Sequence, residues 1–196
     1  MVFDFVSYHN FLLAQDENYA IVQTVSEPLA RHIPKLAEAL GKRANAIYQR
    51  QRALVAEGLL EPVPGLARGP AAVPATPRAV ATLVVGMMAS IELAGSGQRA
   101  RRVAELGGFP VFAHTFLDEL TRILSDEAEA ARVPLISVNT DVGVAVIHYD
   151  GKDKIAFVGG RTPEPGLSAT MNLKGDAIRA LAAVVKNIIA SEKGEK

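Results

Sequence analysis

Residues 33–63 read IPKLAEALGKRANAIYQRQRALVAEGLLEPV and contain two helix patterns separated by one glycine. Four apolar residues of the first pattern keep helical spacing and can form one buried stripe: Ile33, Leu36, Ala37 and Leu40. The proline at position 34 suits the first turn of a helix, where its missing N–H is not needed. Gly41 follows the stripe and tolerates the positive φ of a tight turn. We predict a first helix that ends at Gly41.

A second helix is predicted from Ala44 to Glu57, because this segment lacks glycine and proline and is rich in alanine, glutamine and arginine. Gly58 ends the segment. The apolar residues that follow, up to Val63, can return to the core as a strand. The stretch therefore predicts a short helix, a tight turn, a longer polar helix and a short strand.

Several residues of this stretch make it resemble the winged helix-turn-helix superfamily of DNA-binding proteins, many of which are bacterial transcription regulators. They are Ala37 and Gly41, four residues apart, then Ile47 and Leu54, and finally Glu57-Gly58-Leu59-Leu60. The resemblance covers residues 20–75 and implies a preceding helix at Glu17–Ser26. It also implies a hairpin wing with strands at Leu60–Val63 and Ala71–Val73 and its tip at Gly65–Gly69; the alternative for this segment is a plain loop.

The resemblance implies that one set of side chains enters the DNA groove and that Arg68 reaches DNA from the wing. The groove-facing set is Lys42, Arg43, Asn45, Tyr48, Gln49 and Arg52. Arginine and lysine pair with guanine or phosphate, and asparagine and glutamine with adenine. Basic residues outnumber acidic ones here, which is typical of a nucleic-acid contact. They are Arg31, Lys35, Lys42, Arg43, Arg50, Arg52 and Arg68, against Glu38, Glu57 and Glu61. The alternative is a polar, solvated helix face.

One departure from the superfamily pattern lies in the middle of the second helix. The next inward position after Ile47 should be apolar, yet Arg50 and Gln51 occupy it. Either the helix is rotated about its axis, or its middle is less buried than is usual in these proteins.

Composition limits the classes of protein to which the chain can belong. It has 196 residues, with 21 basic and 21 acidic side chains, so any DNA contact must come from a local patch. Because it has no cysteine, disulfides and thiolate metal sites are excluded. We expect a cytoplasmic protein without a signal peptide and with no membrane association.

Helices are predicted for most of the segment before residue 133. Thr76-Pro77 should start a buried core helix that runs to Ile91, which is a candidate dimer seam. Three arginines after Gly95 (Arg99, Arg101 and Arg102) provide either a second phosphate contact or a solvated helix start. Gly107, Gly108 and Pro110 should stop that helix, and Val111–Arg132 should form one long helix.

The pattern then changes to period two, which is typical of strands. Strands are predicted at Leu135–Asn139, Val142–Tyr149, Lys154–Val158 and Leu167–Leu173, with Asp176 capping a closing helix. The fold class is therefore α+β, a winged helix-turn-helix followed by a small helical and antiparallel-sheet unit. We place the DNA-binding domain at residues 1–94, including an arm at Met1–Gln15. A dimerisation or ligand-binding domain follows at 95–196.

The sequence shows no pattern of an active site. His9, His32, His114 and His148 are scattered without metal-ligand spacing, and His114 with Asp118 forms an i, i+4 pair that is common in helices. We therefore predict no enzyme, metal or cofactor. The predicted function is sequence-specific double-stranded DNA binding by a homodimeric transcriptional regulator. Its C-terminal unit either pairs the subunits or holds a small-molecule effector, and the sequence leaves both alternatives open. The alternatives are an oligomeric DNA-recognition subunit of the phage packaging type, and a protein-interaction or ligand-binding module whose helix-turn-helix does not bind DNA.

Overall fold

The computed structural model describes residues 27–66, 72–90, 92–109, 112–159 and 169–193. Several predicted features lie outside these residues: the arm at Met1–Gln15, the helix at Glu17–Ser26 and Arg68 at the wing tip. The core helix that was predicted to run to Ile91 ends at Ala89, because the backbone of Ser90 is already extended.

Seven α-helices and one sheet make up the described part of the chain. The helices are α1 (Ile33–Leu40), α2 (Ala44–Ala56), α3 (Pro77–Ala89), α4 (Ser96–Ala104), α5 (Phe116–Ser125), α6 (Glu127–Ala131) and α7 (Gly175–Glu192). The strands are β1 (Gly107–Phe109), β2 (Phe112–Thr115), β3 (Leu135–Asn139), β4 (Val144–His148), β5 (Lys154–Val158) and β6 (Thr170–Lys174). Short 3-10 turns lie at Leu29–Arg31 and Asp150–Lys152. The predicted α+β fold class is confirmed, and the winged helix-turn-helix within it stays a prediction.

The six strands form one antiparallel sheet in the order β2-β1-β5-β4-β3-β6. Alternate residues of the central strands, such as Ile136, Ile147 and Phe157, are fully buried on the face that the helices cover. The other face carries polar pairs at one edge, for example Ser137 with Asn172, whose side-chain oxygens lie 2.8 Å apart. This alternation confirms the strands predicted after residue 134, with small shifts in their bounds.

Helix α3 lies at the centre of the helical layer. It starts as predicted, because the Thr76 hydroxyl accepts a hydrogen bond from the Ala79 N–H at 3.1 Å. From residue 79 to 89 only Met87 is not classed as buried. Helices α2, α4, α5 and α7 and strands β3 and β6 all pack against it. Full burial of side chains such as Leu83 stabilises the fold by about 1.5–3 kcal/mol each.

The predicted single helix Val111–Arg132 is wrong. Residues 112–115 form β2 instead, and α5 begins at Phe116 because Thr115 and Asp118 form a reciprocal capping box. A second break follows at Asp126, whose carboxylate accepts hydrogen bonds from the first N–H groups of α6. Local side-chain caps therefore divide the segment into a strand and two helices.

Two further boundaries differ from the prediction. Gly107 and Gly108 do not end a helix by themselves, because they form β1, which pairs antiparallel with β5. Asp176 does not cap the closing helix, since α7 already begins at Gly175. Asp176 lies in the first turn and forms a salt bridge with Arg179.

Helices from the two sides of the predicted boundary at residue 94 pack together, α1 on α7 and α2 on α4. The division into two domains stays a prediction. No helix within the described ranges is long and apolar enough to cross a lipid bilayer.

Candidate nucleic-acid interface

The turn between α1 and α2 has the geometry that the sequence predicts. Gly41 ends α1 in the left-handed conformation, with φ 59° and ψ 37°. The Gly41 N–H donates to the Glu38 carbonyl at 3.1 Å, and the Lys42 N–H donates to the Ala37 carbonyl at 2.9 Å. These two hydrogen bonds close the end of α1, and the chain then turns within two residues into α2.

The buried face of α2 shows how Arg50 and Gln51 are accommodated at inward positions where the superfamily pattern has apolar residues. Ile47 and Leu54 are fully buried, and Arg50 and Gln51 between them are only 5% and 4% exposed. The helix is therefore not rotated out of the predicted register, and its middle is not exposed. Two polar residues take inward positions that an apolar residue was expected to hold.

Arg50 is tolerated in the interior because it bonds to the end of α3. Its Nη2 donates to the Ser90 carbonyl at 2.8 Å and its Nη1 to the Glu92 carbonyl at 2.9 Å. These carbonyls lie just past α3, at the negative end of its dipole. Burial, and after it the neighbouring Arg99 guanidinium, lowers the pKa of Arg50 below its usual value. Arg50 is one of the basic residues on which the predicted positive surface depends. It is instead buried and hydrogen-bonded to the end of α3, so it adds little to the surface charge.

The opposite face of α2 is the candidate contact surface. Its members recur at helical spacing and lie on one stripe: Asn45, Tyr48, Gln49 and Arg52. All but Gln49 are exposed, and Tyr48 is 46% exposed although it is large and partly apolar. This stripe lies opposite Ile47 and Leu54, so it can be presented outward without disturbing the core.

Positive charge is concentrated at the start of α2. Lys42 and Arg43 are exposed, no side chain caps the helix, and its first turn has no acidic residue. The unpaired N–H groups of a helix N-terminus favour an anion such as phosphate. Neither of these two residues nor Arg52 forms a salt bridge within the described chain. The structure thus brings together six of the seven predicted contact residues, and the seventh is Arg68.

The predicted wing strands are not regular strands. Leu60–Val63 and the described residues Ala72 and Val73 share one backbone hydrogen bond, from the Val63 N–H to the Ala72 carbonyl at 2.9 Å. Residues 73–75 also bond to residues 27–29, with a bridge between Pro28 and Pro74. Prolines at 62, 64 and 74 supply no N–H, so a continuous ladder cannot form.

Three other basic residues near the predicted interface have partners within the described chain. Arg31 pairs with Glu27 at 3.3 Å. The side chain of His32 is only 12% exposed, and its Nε2 lies 3.4 Å from a Glu27 oxygen. Burial lowers the pKa of His32. The half-exposed Arg101 donates from its guanidinium to the backbone carbonyl and carboxylate of Glu57 at the end of α2.

A second cluster of ionisable groups surrounds the buried Glu119. Its carboxylate accepts hydrogen bonds from Arg122 and from the Tyr149 hydroxyl, both at 2.8 Å, and lies 3.2 Å from His114 Nε2. Burial alone would raise the pKa of Glu119, but the bonds from Arg122 and Tyr149 outweigh it and lower that pKa. His114 lies in β2 and not in a helix, so the predicted i, i+4 helical pair with Asp118 is wrong. Its imidazole faces Glu119 instead. Both oxygens of Glu119 are engaged by these neighbours.

No group of three or more metal-binding side chains was found in the described parts of the chain. A scan against protein-family models matched no family, and searches of curated proteins and of solved structures found no similar protein.

Proposed function

We propose that the chain binds double-stranded DNA sequence-specifically as a homodimeric transcriptional regulator of the winged helix-turn-helix type. The observation that carries the proposal is the outward stripe of α2, which lies opposite a buried face. It starts at two cations, Lys42 and Arg43, that form no salt bridge with the residues that the structure describes. An α-helix fits the major groove of B-DNA, which is about 12 Å wide. A cytoplasmic location belongs to the same proposal.

Each side chain of the stripe can bond either to a base edge in the groove or to a phosphate beside it. Arg52 can bond a guanine edge in bidentate fashion, and Asn45 and Gln49 can do so with adenine. Lys42 and Arg43 contact phosphates at the positive end of α2, and the Tyr48 hydroxyl can donate to another phosphate. Charge supplies the affinity, while the amide and guanidinium groups of the stripe supply the sequence preference.

A homodimer follows from the small size of the stripe. One short helix reads only a few base pairs, so two half-sites are needed to distinguish a target from the bulk of DNA. In that arrangement two α2 helices lie about 34 Å apart, one turn of B-DNA.

The proposal is tested with the double variant Arg43→Ala/Arg52→Ala. We expect it to bind a duplex at least about tenfold more weakly, because each lost contact contributes about 1–3 kcal/mol. The slope of log K against log salt should also fall, by about 0.9 for each lost phosphate contact. Fluorescence anisotropy with a labelled duplex across a salt series measures both quantities.

A charge-matched control is Arg132→Ala/Arg179→Ala, which removes two exposed arginines from a region away from α2. It should bind DNA like the wild type. Equal losses in the two double variants, or no loss in either, would refute the proposal. Light scattering on the DNA complex separates the dimer from a ring-forming subunit of the packaging type. Binding without salt dependence would favour a protein-interaction module instead.

A further inference from the structure

A cleft of about 630 Å³ lies between α4 and the turn that joins β3 to β4. Gln98, Arg99, Arg102 and Leu106 line it from the helix side, and Thr140 and Asp141 line it from the turn. This volume falls within the range of sites that bind small molecules, about 300–1,000 Å³. None of the residues that line the cleft belongs to the α2 stripe or to the proposed DNA contact.

Two arginines and two carboxylates line the cleft, and each of the carboxylates has one partner among the described residues. Arg99 donates from Nη2 to the Ala94 carbonyl, but its Nε is buried without a hydrogen-bond partner. Arg102 is exposed and forms no hydrogen bond or salt bridge with the described residues. Asp141 accepts a hydrogen bond from the Ala169 N–H at 3.1 Å, and Glu105 lies 4.0 Å from Arg101.

Two guanidinium groups, those of Arg50 and Arg99, lie close together beside the cleft. Arg50 is close enough for its guanidinium to be repelled by that of Arg99, which contributes after burial to the lowered pKa of Arg50. Arg99 forms an ion pair with Glu92, whose oxygen is 3.8 Å from Nη2 and whose side chain is 80% exposed. An anionic group in the cleft would reduce the repulsion between Arg50 and Arg99 and accept hydrogen bonds from the exposed guanidinium of Arg102.

Helix α4 connects the cleft to α2. Gly97 and Arg101 lie one turn apart on the side of α4 that faces α2, and the cleft residues lie on the other side. A Cβ at Gly97 would be 2.8 Å from the Cβ of Glu57 and 3.1 Å from the Ala53 carbonyl oxygen. Arg101 bonds to Glu57 from the same side. A movement of α4 therefore has to move the C-terminal end of α2.

We propose that the cleft is an effector site for a small molecule that carries a carboxylate or phosphate group beside a compact apolar part. Arg99 and Arg102 bind the anionic group, and Val103 and Leu106 contact the apolar part. Occupancy shifts α4 and, through Gly97 and Arg101, the position of α2. The regulatory consequence rests on the DNA-binding function proposed above, whereas binding in the cleft does not.

Amide NMR spectra of the full chain test binding without DNA. The probes are phenyl phosphate, benzoate and the neutral benzyl alcohol, titrated to millimolar concentration. Three glycines also line the cleft: Gly95, Gly143 and Gly159. We expect one or both anions to shift the amide signals of these glycines, and benzyl alcohol to have no effect. A preference between the two anions identifies the anionic group. Binding of the alcohol alone, or of none of the three, overturns the proposal.

Two variants at the cleft and one control locate the site. Arg99→Ala and Arg102→Ala should each weaken binding of the anion about tenfold or more, as expected for the loss of a charge-assisted hydrogen bond. Arg132→Ala should leave the affinity unchanged. Equal affinity in all three variants means an adventitious ion only and contradicts the assignment.

Arg101→Ala tests the connection to α2. In the wild type the anion should also shift the amides of Glu57 and Gly58, and Arg101→Ala should at least halve these shifts while the affinity for the anion is kept. Unaltered shifts in the variant, or no shifts at α2 in the wild type, refute the coupling. Because these signals do not depend on DNA, a protein that fails to bind duplex still gives a result for the cleft.

Discussion

Replacing the buried Arg50 with methionine should destabilise the protein strongly, although the new side chain is apolar and similar in length. The change removes the two hydrogen bonds to the Ser90 and Glu92 carbonyls, which lie 2.8 and 2.9 Å from the guanidinium. Hydrogen bonds from a charged donor contribute about 1.5–3 kcal/mol each. The change also removes a cation that is costly to bury and that is repelled by Arg99, and this gain offsets part of the loss. We expect a net loss of about 2–4 kcal/mol.

Urea unfolding followed by circular dichroism measures this free energy. In a domain of this size the loss lowers the melting temperature by about 2–4 °C per kcal/mol. The matched control is Arg52→Met, two residues further along α2, which is exposed and should change stability by less than about 0.5 kcal/mol. Arg50→Lys keeps the positive charge but loses the two parallel donors of the guanidinium. Its loss in the free energy of unfolding should lie between those of Arg50→Met and Arg52→Met. If the Arg50→Met protein were as stable as the wild type, the hydrogen bonds from Arg50 to the end of α3 would make no net contribution to stability.

Three other changes test the fold. Hydrogen bonds, the first of them from Arg78, lower the pKa of Asp118 from 3.8 to about 2, so its contribution is present above pH 3.8 and is lost as the pH falls towards 2. Urea midpoints should fall over that window, and less steeply in Asp118→Asn; identical slopes would contradict this. Gly97→Ala should cost about 1–3 kcal/mol, since its Cβ would crowd α2, whereas Gly107→Ala meets no atom within 4 Å and serves as its control. Gly41→Ala should cost about 1–2 kcal/mol because φ is positive there, and Gly41→Asn less; equal melting temperatures for the two would argue against backbone strain.

Much of the helical layer could be predicted because its signals are local. The stripe of α1 with Gly41, and Thr76-Pro77 before an apolar run, each place a boundary using only a few neighbouring residues. The inward positions of α2 were also predicted, although what Arg50 does there was not. Its partners are 40 and 42 residues away in the chain, and no local pattern indicates which carbonyls a buried guanidinium will meet.

The predictions failed where short segments depend on distant ones. Strand β1 is only three residues long and contains two glycines, so nothing in its own composition favours a strand. It forms because β5 offers it a free edge. The capping box of Thr115 and Asp118 was present in the sequence, but the apolar spacing that runs through it favoured a single helix. The cleft beside α4 could not be predicted, since its walls come from segments about forty residues apart.

The all-round burial of α3 limits how the protein can change over time. Because this helix has almost no solvent-facing side, most substitutions in it must be matched by adjustments in neighbours from both halves of the chain. The outward stripe of α2 is under no such constraint, and its side chains can be exchanged with little effect on folding. Mutational drift should therefore be slow at the centre of the molecule and fast on that stripe, so that a new binding preference can arise on an unaltered scaffold.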